Sequence, residues 1–161
     1  MKPVLYTKTS NELTQCSIIS CISAIECKGT FLSLLGAPQS EQKKIVGCFQ
    51  KQVHDQLVSA ISYINWTMEY RSCCNSKDSI DIFGECADYA VVIELDKHRA
   101  DQIAKKFVSR LASLQSHPLF FISLCYPGTP AMNKSECVKY FGYCATLASR
   151  MSNHYAGFII E

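Results

Sequence analysis

Tyr89-Ala-Val-Val-Ile-Glu-Leu95 and Leu119-Phe-Phe-Ile-Ser-Leu-Cys125 are nearly unbroken apolar runs, and they decide the fold together with the segment between them. Runs of this length, apolar on both faces, suit strands at the centre of a sheet that is covered on both sides. Between them Ala100, Ile103, Ala104, Phe107, Leu111 and Leu114 recur at helical spacing. Residues 88–126 therefore predict a strand–helix–strand crossover, right-handed by the general rule for parallel connections. Asp96 stands where it would cap a helix over 97–114, and Asp101 and Lys105 form a favourable i,i+4 pair on its outer side.

On the N-terminal side the period is 2: Ile64, Trp66, Met68 and Tyr70 alternate with Asn65, Thr67, Glu69 and Arg71. This predicts a half-buried strand with an antiparallel neighbour or an edge position. An open edge there admits pairing with a partner or with a second copy, which would make a homodimer. Residues 72–85, including Cys73 and Cys74, read as a loop. Further back, Ile45, Phe49, Val53, Leu57 and Ile61 form a clear helical stripe, and an earlier helix begins at Ser10 or Asn11 and runs to about Cys27. Residues 3–7 suit a short first strand. Beyond Cys125 come a Pro-Gly turn, a helix capped by Asn133 with Glu136 reaching back, and a final strand over 155–160.

The expected fold class is α+β with α/β character, one layered domain over 1–161. Its mixed sheet has about four to five strands flanked by helices, in the order (β)ααββαβαβ, with the two N-terminal helices over one face. A chain of 161 residues with 48% hydrophobic and 19% charged residues has enough apolar mass for one real core. There is no secretory signal and no window of about 18 apolar residues, so the expected location is the cytoplasm, without membrane insertion. The ten cysteines are then expected as reduced thiols.

Several chemistries compete for these residues. Structural zinc needs close ligand pairs, and no Cys-x-x-Cys or His-x3–5-His spacing occurs; the nearest grouping is Cys73, Cys74, Cys86 and His98. A thiol enzyme would use Cys125, at the carboxyl end of a central strand, with His117 or His154 as base. A thiol-rich redox or metal-binding protein is a third reading. No Gly-x-Gly-x-x-Gly or Gly-x4-Gly-Lys-Ser/Thr is present, so no nucleotide cofactor is expected, and the scattered basic residues do not suit nucleic acid.

The charge distribution is more informative than the net charge of +2. Between positions 78 and 96 lie six acids and no Lys or Arg. Such a stretch suits a non-catalytic binding protein, an inhibitor or toxin-neutralising immunity-type protein, that offers an acidic surface to a basic toxin or nuclease domain. The expected contact residues are Asp78, Asp81, Glu85, Asp88 and Glu94.

Overall fold

The computed structural model of the chain describes residues 1–27, 31, 34–72, 78–114, 118–126 and 129–161. Among the described residues six strands form one sheet: β1 (Pro3–Lys8), β2 (Asn65–Tyr70), β3 (Ile80–Glu85), β4 (Ala90–Asp96), β5 (Leu119–Cys125) and β6 (His154–Ile160). Among the described residues four α-helices flank it: α1 (Leu13–Ser23), α2 (Gln39–Ala60), α3 (Asp101–Ser113) and α4 (Lys134–Arg150). The strand order is β1-β6-β5-β4-β3-β2, with β4, β5 and β6 parallel and the outer strands antiparallel to their neighbours.

The predicted crossover is present as β4–α3–β5, and β5–α4–β6 repeats it. In β4 and β5 every residue is buried. Alternate side chains divide between two cores. Val91, Ile93, Phe120, Ile122 and Phe158 face α1 and α2, meeting Ile18, Ile22, Phe49, Val53 and Leu57. Val92, Phe121, Tyr155 and Ile159 face α3 and α4, meeting Ile103, Phe107, Phe141 and Ala148. The two N-terminal helices cover one face, as the sequence predicts. Among the described residues no helix is long and apolar enough to cross a membrane.

The strand count needs correction from four or five to six, because the expected loop contains β3. Its sequence, Ile80-Asp-Ile-Phe-Gly-Glu85, mixes two acids and a glycine into an apolar run, which hides the strand. Both features have structural reasons. A Cβ on Gly84 would lie 2.6 Å from the Trp66 ring, so only glycine lets that ring close over β3. Asp81 accepts the N–H of Leu95 at 2.7 Å just past the last β3–β4 backbone partners, Ile82 and Ile93. The predicted cap at Asp96 also needs correction. Asp96 ends β4 and binds Lys106, while α3 starts at Asp101 without a side-chain cap. Asn133 does cap α4, accepting the Glu136 N–H at 2.9 Å.

The strand predicted over 64–71 is β2, which among the described residues is an edge strand paired with β3 alone. Its alternation breaks at Glu69, whose φ of 52° is left-handed, and Tyr70 consequently stacks on Phe83 in the α3/α4 core with centroids 4.0 Å apart. The opposite edge, β1, begins with Pro3 and carries a register irregularity between Leu5 and Thr7. Bulges, proline and left-handed residues oppose further strand addition, so both edges are blunted.

Candidate functional site

The acidic stretch 78–96 folds into the β3–β4 hairpin and its approaches, and the structure splits it in two. At one end the carboxylates turn inward. Glu94 and Asp96 alternate on the β4 face that meets α3, and that helix places Lys106 and Arg110 one turn apart above them. Arg110 Nε donates to Glu94 Oε1 at 2.7 Å, its other nitrogens reaching Asp78 Oδ2 at 3.0 Å and the Ser79 carbonyl at 2.8 Å. Lys106 Nζ lies 3.0 Å from both Glu94 Oε2 and Asp96 Oδ1, and 3.7 Å from Asp81 Oδ2.

This cluster perturbs its members strongly. Burial pushes Asp81 up to about 7, with Glu94 adding to the rise and Lys106 opposing it. Burial likewise raises Asp96, against the attraction of Lys106. Lys106 is lowered by burial, but Asp96, Glu94 and Asp81 more than offset this and hold it above the ordinary lysine range. Burial also raises the Tyr126 phenol beside them. Asp96 Oδ2 and the Tyr126 hydroxyl are buried without a hydrogen-bond partner among the described residues.

Glu94, expected as a partner contact, is therefore withdrawn from the surface at 1% exposure. A central strand covered on both faces leaves no solvent for it, and the two cations of α3 compensate its charge. Asp81 is half-buried in the same cluster, and Asp78 is exposed but ion-paired to Arg110. Lys106 and Arg110 were missed as partners of this stretch. Their signal lay in Ile103, Lys106, Phe107 and Arg110 sharing one helical face opposite the i,i+2 acids Glu94 and Asp96.

At the other end the hairpin is open to solvent. Glu85 and Asp88 are exposed, and neither carboxylate is ion-paired to another described residue. Glu85 lies across from Asn65 on β2. Beside it a surface cleft of about 390 Å³ is lined by Val58, Ser62, Tyr63, Ile64, Asn65 and Trp66. Tyr63 is 63% exposed and Val58 44%. Trp66 donates its indole N–H to the Ile61 carbonyl at 3.1 Å, so the floor of the cleft is fixed while its rim stays available. Tyr89 stands close to both Tyr63 and Cys86, and burial pushes its phenol up to about 12.

The thiol-enzyme arrangement does not assemble among the described residues. Cys125 is at 0% exposure, and burial holds its thiol well above the ordinary range. It does lie level with Asp96, its register partner on β4. His154, however, pairs with Phe120, five residues before Cys125, or about 16 Å along the strand. His154 instead faces Glu12, with Nε2 3.9 Å from its carboxylate. His117, Cys73 and Cys74 lie outside the described residues. Cys86 and His98 sit at opposite ends of β4, and the Cys86 thiol donates to the Tyr89 carbonyl at 3.3 Å. Among the described residues no group of three or more His, Cys, Asp or Glu could hold a metal ion.

Comparison with known proteins found no family model, no curated protein and no solved structure that matches the chain.

Proposed function

We propose that the chain is a non-catalytic protein-binding module of the inhibitor or immunity type, acting in the cytoplasm on a partner with a basic surface such as a toxin or nuclease domain. The observation that carries this reading is the open end of the β3–β4 hairpin. Glu85 and Asp88 stand exposed there, and Asn65, the cross-strand partner of Glu85, lines the Tyr63 cleft, whereas the other acids expected to contact the partner are spent on Lys106 and Arg110 or held close to them. Exposed carboxylates and an exposed aromatic ring suit Lys and Arg side chains, whose stems pack on apolar surface and whose heads meet carboxylates. Both sheet edges are blunted, so recognition runs through side chains rather than strand addition. The eight described cysteines are free thiols, in keeping with a reducing compartment.

The test is the association kinetics of the chain with the protein that co-purifies from its own cells, comparing wild type with the Glu85→Lys/Asp88→Lys double variant. Charge reversal at a steering surface is expected to slow association about tenfold or more at low salt and to flatten the salt dependence. An unchanged rate in the double variant overturns the assignment of this surface.

A further inference from the structure

On the basic-partner reading proposed above, we infer that the Tyr63 cleft seats one aromatic side chain of the partner, flanked in the partner's own sequence by Lys and Arg. Charge alone does not hold such a partner. An exposed ion pair strengthens an association by at most about fivefold, so Glu85 and Asp88 together supply at most about thirtyfold. Even a millimolar complex needs an association constant of about 10³ M⁻¹, reached only after the freedom lost on binding has been offset. Protein interfaces meet that need with a few aromatic anchors, each desolvated in a pocket and ringed by weaker polar contacts.

The cleft has the shape and rigidity for one anchor. It opens between the end of α2 and the start of β2, and its volume of about 390 Å³ admits a side chain rather than a helix about 10 Å across. Val58 and Tyr63 form an exposed apolar rim, and Ile64 and Trp66 are buried beneath it. Trp66 is held on two sides. Its indole N–H is engaged by the Ile61 carbonyl, and its ring packs so closely on Gly84 that no Cβ fits between them. The floor is thus ordered before a partner arrives, which removes part of the cost of binding.

Negative charge around the cleft selects the flanking residues. Asn65 in its lining is the cross-strand partner of Glu85, and Cα atoms so paired lie about 5 Å apart. Asp88 is exposed in the turn that follows. Val58 lies in the last turn of α2, a helix of 22 residues with no basic side chain in that turn. A helix carboxyl end carries about half a negative charge, which here no side chain of the turn offsets. An aromatic residue entering the cleft therefore brings its neighbours against carboxylates and a helix end, where Lys and Arg are favoured.

The probes are two pentapeptides, acetyl-Lys-Arg-Phe-Arg-Lys-amide and the same peptide with alanine in place of phenylalanine, titrated into isotope-labelled protein. Trp66 is the sole tryptophan of the sequence, so its indole N–H gives one NMR resonance from the cleft lining. The phenylalanine peptide is expected to shift it with a Kd of about 1 mM or tighter, and the alanine peptide to bind at least about tenfold more weakly. Val58→Lys, at the exposed rim, is expected to abolish that difference. Equal affinity for the two peptides, or a phenylalanine advantage that persists in Val58→Lys, overturns the anchor and leaves the acidic surface standing. The anchor is also overturned if neither peptide shifts Trp66, or if the resonance moves with the protein's own concentration as a second copy fills the cleft. Binding of the phenylalanine peptide that is unchanged by Glu85→Lys and Asp88→Lys fails the basic-partner reading instead, and the flanking Lys and Arg with it.

Discussion

Gly157 on β6 lies beneath helix α4, and replacing it with alanine tests how closely that helix packs on the sheet. An added Cβ would stand 2.5 Å from Cγ of Phe141, 2.6 Å from Cδ2 and 2.9 Å from Cδ1. Ordinary contact begins near 3.4 Å, so the ring would have to retreat by most of an ångström. It has nowhere to go: Phe141 is at 0% exposure, against Tyr155 at a ring distance of 6.2 Å. Overpacking of a tight core costs about 1–3 kcal/mol, and a clash with three ring atoms belongs at the upper end. At about 2–4 °C per kcal/mol for a chain of this size, a loss of about 3 kcal/mol lowers Tm by about 6–12 °C. The assay is denaturant and thermal unfolding of Gly157→Ala, Phe141→Leu and the double variant. The smaller side chain is expected to relieve the clash, leaving the double variant more stable than the sum of the single effects by at least about 1 kcal/mol. Additive effects, or a Gly157→Ala variant within about 0.5 kcal/mol of wild type, would refute the close approach.

Other consequences follow from the same geometry. Arg110→Met leaves Glu94 buried with Lys106 alone and is expected to cost about 3–5 kcal/mol in urea unfolding, much of it recovered by adding Glu94→Gln. Tyr155→Phe removes the donor 2.9 Å from Ser123 Oγ in the interior. It is expected to cost about 1–3 kcal/mol, and adding Ser123→Ala to recover most of it, since paired removal leaves no orphaned hydroxyl. In native protein iodoacetamide is expected to modify exposed Cys48 before buried Cys125 and Cys137, as read by peptide mass spectrometry. Early modification of Cys125 would contradict its burial.

The architecture was largely legible because the strongest signals were periodic. The apolar runs at β4 and β5, the stripe from Phe49 to Ile61 and the Asn133 cap all act through local spacing, and the structure keeps them. β3 was hidden because Asp81 and Gly84 answer to distant residues, the Leu95 amide and the Trp66 ring, which no local pattern reveals. The acidic stretch was legible as composition but not as geometry. Sequence period alone does not say that the face holding Glu94 and Asp96 lies under a helix, and Lys106 and Arg110 stand out from the other scattered bases only once their helical face is aligned with that strand. Glu85 and Asp88 differ from their neighbours only in lying at the free end of the hairpin, a property of topology.

A photo-crosslinking amino acid placed at position 63 tests the binding account most directly, with a second at Tyr143, exposed on α4, as control. Irradiation in the protein's own cells is expected to yield an adduct from position 63 whose cross-linked partner peptide is rich in Lys and Arg, and to lose it when Glu85→Lys and Asp88→Lys are added. An adduct at position 143 alone, or one at position 63 that survives charge reversal, would contradict the hairpin end as the partner-binding surface.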